Sequence, residues 1–345
     1  MLSAVRSFGS GVTSFPCFAH TLNLVVNKSL NAITELATIR RKCRNIVSYF
    51  KLSSLAKNKL IEYQNTYRIE NHKLILEDES RWNSTYEMFH RLVEQQHAVL
   101  AAMSFFTESV EHLTVSEWDM MATCLQVLKP FAVFTAELSS EAHVPISKVY
   151  PSVQQMYRCL NVHDHVLASK LREMMDMYLH DIVNNSIYCM YCMLDPRFKH
   201  LGFMSTETVE VVKKLIIGII TVPTVNDNSQ STDDFLEGTS GFWADFKSIV
   251  IAHNHCNADK LDGVSELENY LSERLEVLAS DPLKYWKVNA MRYPRLSKLA
   301  QKFLCCSATS VPCKRVFSKA GDIVSKNRNR LKDSTLNKML FLNSV

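Results

Sequence analysis

Apolar residues return every three or four positions over most of this chain, the period of helices that bury one face. Between His20 and Leu30 the apolar set is Leu22, Val25, Val26 and Leu30, and a second helix is expected from Thr34 through the basic run Arg40–Arg44. Asp78 to Thr85 introduces a helix carrying Met88, Phe89, Leu92 and Val93. Met120–Leu138 offers Leu125, Leu128, Ala132 and Thr135 as a core face, with a kink expected at Pro130. Leu167, Leu171, Met174, Tyr178 and Ile182 repeat the pattern, as do Leu267, Tyr270, Leu271, Leu275 and Leu278, and then Leu296, Leu299, Ala300 and Phe303. Further on, Pro312 can open a helix to about Val324, and Asp333 can cap a last one through Leu342. Only Lys73–Leu76 alternates as a short strand would, and the polar stretch 223–241 has neither period and is expected to be a linker.

Composition sharpens this helical expectation. Eight glycines and nine prolines in 345 residues are too few for an all-β fold built on tight turns. A hydrophobic content of 47% is enough for a sizeable core. The longest apolar runs, such as 215–222, fall short of the roughly 18 residues a membrane-spanning helix needs, so no membrane partner is expected. The overall charge, 39 − 35 = +4, hides an asymmetry: residues 284–345 hold fourteen Lys/Arg against Asp322 and Asp333, a net +12, leaving −8 for the rest. The ten cysteines show no regular framework and are expected to be reduced thiols.

Few side chains suggest chemistry through spacing alone. Cys17 and His20 could supply only half of a tetrahedral zinc site, and packing is the favoured role. Cys189-Met-Tyr-Cys192 lies in an apolar run without a second such pair and is expected to be core, and His253-Asn-His255-Cys256 is isolated. Asp195-Pro196-Arg197 is expected to be a turn in which the aspartate caps the next segment. The run Arg40, Arg41, Lys42, Arg44 circles a helix axis and is expected to be solvated. No metal, cofactor or small-molecule substrate is expected. The basic segment admits two uses. Lys326, Arg328, Arg330 and Lys332 form its densest patch, suited to phosphates. Tyr285, Trp286, Tyr293, Phe303, Val316, Phe317, Leu340 and Phe341 give it the apolar and aromatic area of a dimer interface, with part of that area expected in an intramolecular core.

Several phrases succeed one another in a known order: Cys17-Phe-Ala-His20-Thr-Leu-Asn-Leu24, Ser80-Arg-Trp82-Asn-Ser84, Leu194-Asp-Pro-Arg-Phe-Lys199, Asp281-Pro-Leu-Lys-Tyr-Trp286, and Ala308-Thr-Ser-Val-Pro-Cys-Lys-Arg-Val-Phe-Ser318 with Lys326-Asn-Arg-Asn-Arg-Leu331. Together they resemble the hAT-superfamily DNA transposases, and most of all their domesticated descendants of the BED-type zinc finger family. The resemblance runs over nearly the whole chain. It implies a mainly α-helical protein in which a partial RNase H-like core is interrupted by a large helical insertion and followed by a C-terminal hAT dimerisation region. The corresponding divisions are 1–30, a remnant of the RNase H-like core; 31–255, the helical insertion; and 256–345, the dimerisation region, which completes the core. The family's BED finger and its two upstream aspartates have no matching position here.

The same resemblance implies a reaction and its failure. Family members use three carboxylates to hold two divalent ions that clamp the attacking and leaving oxygens. The third is a glutamate in the closing phrase, and Lys314 occupies its position. A single positive charge about 4 Å from a divalent cation is repelled by several kcal/mol at an effective dielectric near 20. The expectation is therefore a catalytically inactive, transposase-derived, nuclear protein that associates with itself through its C-terminal region, with DNA as a possible second partner. The alternative is a functional hAT transposase, or a fragment of one. The resemblance places His20 near the active site and the Arg81-Trp82 pair near DNA ends, where an exposed indole could stack on an unpaired base.

Overall fold

The structure is a computed structural model that describes residues 15–106, 110–140, 146–203, 205–221, 263–310, 334–335 and 338–339. Among these, the chain is all-helical and holds no β-strand. The helices are α1 (Phe18–Asn31), α2 (Thr34–Leu52), α3 (Ser54–Thr66), α4 (Trp82–Glu94), α5 (Gln96–Ser104), α6 (Val115–Ser140), α7 (Val149–Asn161), α8 (Val166–Asn184), α9 (Ser186–Leu194), α10 (Thr206–Ile220), α11 (263–272), α12 (Pro282–Val288) and α13 (Pro294–Leu304). Two compact units result, one from Met1–Val144, Gln155–Asp181 and Ala308–Val345, the other from Pro145–Gln154 and Ile182–Ser307. They cut across the sequence divisions at 30 and 255. The linker expected at 223–241, the helices expected after Pro312 and the His253–Cys256 cluster lie outside the described residues, apart from helical turns at 334–335 and 338–339.

The first unit is a stack of amphipathic helices. Leu22, Val25, Val26 and Leu30 of α1 are fully buried, as are Leu36, Ile39, Cys43, Ile46 and Val47 of α2 and Met88, Phe89 and Leu92 of α4. The pairs α1–α2, α2–α4, α1–α4 and α4–α6 all pack together, and α3 lies on α2 and α5. Pro130 sits inside α6 without ending it. The face α6 buries is Trp118, Met121, Cys124, Val127, Leu128, Phe131, Phe134 and Leu138, which corrects the expected stripe of Leu125, Leu128, Ala132 and Thr135 by one position. The segment 73–76 lies outside helix, turn and bend and pairs with no strand, so the expected strand is not formed among the described residues.

The basic run on α2 is solvated only in part: the Arg41 side chain is half exposed, whereas two of its neighbours are buried. Arg40 and Lys42 are 5% and 9% exposed. Arg40 donates from Nε (2.8 Å) and Nη2 (2.5 Å) to Glu77 Oε1, which also accepts from Thr85 Oγ1 at 2.5 Å. Lys42 pairs with Glu117 (2.9 Å) and Glu111 (3.3 Å), and Arg41 with Glu111 (3.0 Å). Arg44 reaches Glu79 and, at 3.7 Å, Glu77. Every cation of the run is therefore taken by a carboxylate that enters from another element.

The second unit is organised by aromatic residues with polar tips. Trp286 and Tyr270 are fully buried, their rings 4.8 Å apart, and both tips turn to the last carbonyls of α9. Trp286 Nε1 donates to Leu194 C=O at 2.9 Å and Tyr270 Oη to Met193 C=O at 3.1 Å. These carbonyls lack helical partners because α9 ends there, so the aromatic tips complete it. Helix α12 starts on Asp281, whose carboxylate accepts from Leu283 N (2.9 Å), with Pro282 in the first turn. Helix α11 stops at 272, earlier than the periodicity extends, and Leu275 and Leu278 are exposed (41% and 69%). The agent is Lys199, fully buried, whose Nζ donates to the carbonyls of Tyr270 (2.6 Å), Glu273 (3.1 Å) and Arg274 (3.3 Å). A cation at the negative end of the helix dipole satisfies the orphan carbonyls and stops the helix.

Candidate functional site

Three of the sequence phrases converge within the first unit. The Cys17–Leu24 phrase forms the start of α1 and the Ser80–Ser84 phrase the start of α4, and Asn23 joins them. Its Nδ2 donates to Ser80 C=O (3.3 Å) and its Oδ1 accepts from Trp82 N–H (3.2 Å). The third phrase arrives at the same end of α1, where Phe18 N–H donates to Ala308 C=O at 3.0 Å and Ser310 N–H to Cys17 Sγ at 3.3 Å. Lys314 comes four residues later, outside the described residues. Residues nearly 300 positions apart in the chain are thus held by main-chain contacts at one helix terminus.

The turn before α4 is built by its own hydroxyls. Asp78 Oδ1 accepts from Ser80 N–H (3.0 Å) and Ser80 Oγ (2.7 Å), and Ser84 Oγ accepts from Asp78 N–H at 2.8 Å. The Ser80 hydroxyl and amide, helped by the Arg81 charge, hold the Asp78 carboxyl below the usual carboxylate range. This turn points two neighbours in opposite senses. Arg81 is exposed and forms no ion pair among the described residues, whereas Trp82 is 1% exposed. The Trp82 indole packs inside, 6.4 Å edge-to-face from Tyr86, so stacking on an unpaired base is not available to it. His20 is exposed one turn before Asn23. Of the nucleic-acid candidates, His20 and Arg81 stand on the surface, Trp82 does not, and Lys326, Arg328, Arg330 and Lys332 lie outside the described residues.

The interface candidates need a similar correction. Trp286 and Tyr293 are 0% and 1% exposed, and Tyr285 and Phe303 pack against the same core. Tyr285 Oη (2.6 Å) and Tyr293 Oη (2.9 Å) both donate to Glu273, and Phe303 lies 5.2 Å from Tyr191. Burial works to raise the Glu273 pKa, but these two hydrogen bonds and the Arg292 charge outweigh it and hold the carboxyl below its ordinary value. Trp286 and Tyr293 are closed inside their own unit, and Tyr285 and Phe303 are half-buried at its edge. Val316, Phe317, Leu340 and Phe341 lie outside the described residues.

Asp195-Pro196-Arg197 is more than a turn. Asp195 is fully buried and accepts from Ser147 Oγ (2.6 Å), Arg197 N–H (3.1 Å), Arg197 Nε (2.9 Å) and Arg197 Nη2 (2.6 Å). Arg197 continues to the carbonyls of Leu278 (3.4 Å) and Ser280 (3.3 Å). Lys199 adopts φ 47°, a left-handed conformation that its three carbonyl contacts hold in place. Cys189 and Cys192 are core residues, as expected, and burial raises both thiol pKa values, Cys189 to about 11. Among the described residues no cysteine is joined in a disulfide, and no three His, Cys, Asp or Glu side chains are placed to hold a metal.

Sequence reasoning passed over Asn23, Ser84, Glu77 and Lys199. A mid-helix asparagine between Leu22 and Leu24 was the available signal, since asparagine is a poor helix former unless its amide has work elsewhere.

Comparison with known proteins places this geometry in a family. Residues 266–345 match the hAT family C-terminal dimerisation region, and residues 15–127 match the ZBED1 RNase-like helical domain. The chain is thus related to the hAT transposases, and within that group it is a ZBED-like protein. It is 27% identical over 347 residues to the human zinc finger BED domain-containing protein 4, covering 96% of this chain and 29% of that protein. It is 26% identical over 342 residues to the Zea mays protein named "Putative AC transposase", covering 91% and 42%, and 23% identical over 374 residues to the human zinc finger BED domain-containing protein 6, covering 96% and 38%. The chain therefore spans well under half the length of the curated relatives it matches.

Proposed function

We propose that this chain acts as a transposase-derived module that associates with itself through residues 266–345 and does not cut DNA. The observation that carries the second half is Lys314, a cation at the position where the hAT resemblance calls for a metal-binding glutamate. The match of 266–345 to a dimerisation region supports the first half. The contacts of Ala308 and Ser310 with the start of α1 support the view that the last part of the chain completes a core begun at its N-terminal end. Relatives named as a transposase and as zinc finger proteins favour a nuclear location and DNA as a neighbour, with exposed His20 and Arg81 and the basic residues Lys326, Arg328, Arg330 and Lys332 as contact points.

Because Trp286 and Tyr293 are internal, the apolar surface this region offers a second copy among the described residues is Leu275 (41% exposed), Val277 (71%), Leu278 (69%), Val288 (82%) and Met291 (98%). Sedimentation equilibrium of the purified chain should give a dimer at micromolar concentration, and Val288→Asp with Met291→Asp should shift it towards monomer without loss of helical signal. A wild-type monomer overturns the association. Magnesium- or manganese-dependent cleavage of a transposon-end duplex overturns the inactivity.

A further inference from the structure

We infer that the first unit carries a docking cleft for an acidic, extended peptide, which binds by adding a strand to residues 74–76. A cleft of about 490 Å³ lies between this segment and helices α2 and α3, within the size range of ligand pockets. Its floor is apolar, with Phe50 and Leu60 nearly buried, Leu74 5% exposed, and Ile61 and Leu76 each 38% exposed.

Two observations define the occupant. The first is the backbone. The carbonyls of His72 and Lys73 are taken by Gln64 Nε2 (2.9 Å) and Arg91 Nη1 (2.7 Å), which pin the start of the segment. Beyond that point the peptide N–H and C=O groups of Leu74, Ile75 and Leu76 have no hydrogen-bond partner among the described residues. A stretch free of helix, turn and bend, with unpaired main-chain groups beside an apolar cleft, offers the kind of surface that strand addition uses. Helical or compact ligands do not pair with it; an extended chain does, placing alternate side chains into the cleft.

The second observation is charge. Lys51, Lys57 and Lys73 line the cleft, all exposed, and no carboxylate among the described residues lines it. None of the three forms an ion pair among the described residues, unlike the cations of the Arg40–Arg44 run a few turns away. The complementary partner is a peptide whose apolar residues alternate with aspartate or glutamate, the carboxylates meeting the rim lysines and the apolar side chains meeting Ile61 and Leu76. The cleft is independent of the proposed self-association, which draws on other residues.

The test uses the full chain and a fluorescein-labelled peptide of alternating aspartate and leucine, read by fluorescence polarisation. Saturable binding is expected, together with slowing of amide exchange at Leu74–Leu76. Replacing Lys51, Lys57 and Lys73 together by Glu should weaken binding by about tenfold or more. Ile61→Asp, on the exposed side of α3, should weaken it without touching the segment itself. A probe N-methylated at each leucine should lose binding by a similar factor, because its donors are gone. The inference is overturned if no saturable binding occurs, if the N-methylated probe binds as well as the parent, or if a lysine-leucine probe binds equally. It is also overturned if the triple lysine variant leaves peptide binding intact and instead loses self-association, which would make a second copy the occupant.

Discussion

Asp195→Ala would test whether the Leu194–Lys199 phrase is the joint that closes the second unit. The wild-type carboxylate is fully buried and accepts four hydrogen bonds, three of them from Arg197, whose own side chain is 4% exposed. Removing the carboxylate leaves a buried guanidinium whose remaining contacts, to Leu278 and Ser280 carbonyls at 3.4 and 3.3 Å, are long. Breaking one side of a buried ion pair costs about 3–5 kcal/mol, because the survivor keeps its desolvation penalty without its partner. The weak carbonyl contacts and the freed Ser147 hydroxyl argue for the upper half of that range. Replacing both partners by apolar residues, Asp195→Leu with Arg197→Met, removes the orphaned charge and should recover most of the loss. The assay is urea unfolding followed by circular dichroism in a double-mutant cycle. A cost below about 1 kcal/mol for Asp195→Ala, or a double variant as unstable as the sum of its singles, would refute the assignment.

Other expectations rest on single contacts. A Cβ at Gly202 would stand 2.7 Å from Cys192 Sγ, so Gly202→Ala should lower stability by about 1–3 kcal/mol, and adding Cys192→Ala should return part of it, read from thermal melts. Asn23→Ala removes the bonds to Ser80 and Trp82 and should cost about 1–2 kcal/mol while speeding amide exchange in residues 80–84; unchanged exchange would count against the bridging role. Burial pushes the Tyr150 and Tyr293 phenols up to about 12. Since the unfolded value is about 10, the stability they contribute is whole below about pH 10 and falls as pH rises towards 12. Absorbance titration should show these two ionising late and together with loss of ellipticity. Ionisation of all twelve tyrosines near the ordinary value with the fold intact would contradict their burial.

What the sequence disclosed was governed by how local the cause is. The core face of α1 was legible residue by residue, since Leu22, Val25, Val26 and Leu30 stand among polar neighbours and only one face is possible. In α6 two adjacent stripes are apolar, so the period showed a helix but not which stripe turns inward; packing against α4 decided it. The burial of Arg40 and Lys42 is not legible locally because their partners, Glu77 and Glu117, enter from other elements and carry no local mark. The end of helix α11 is hidden for the same reason: the lysine that stops it lies about seventy residues earlier. Alternation in Lys73–Leu76 cannot report that no neighbouring strand exists among the described residues to pair with it, so the expected strand is not formed. At the candidate site, the phrases were visible and their meeting point was not, because Asn23 joins them through space.

The burial of Trp286 and Tyr293 also constrains how two copies could meet. A stable protein interface buries about 800 Å² per partner. Leu275, Val277, Leu278, Val288 and Met291 cannot supply that area alone, even if all five lie in one contact. Trp286 and Tyr293, which would have added to it, are committed to the interior, Trp286 closing off α9 and Tyr293 bonding Glu273. Within the region 266–345 the further large apolar side chains include Val316, Phe317, Leu340 and Phe341. If self-association uses this region it needs area of this kind, and Phe341→Asp should weaken the dimer at least as much as Val288→Asp does. If Phe341→Asp leaves sedimentation unchanged while Val288→Asp gives monomer, the contact is confined to 275–291 and is too small for a stable dimer, making association a weak and concentration-dependent property of this chain.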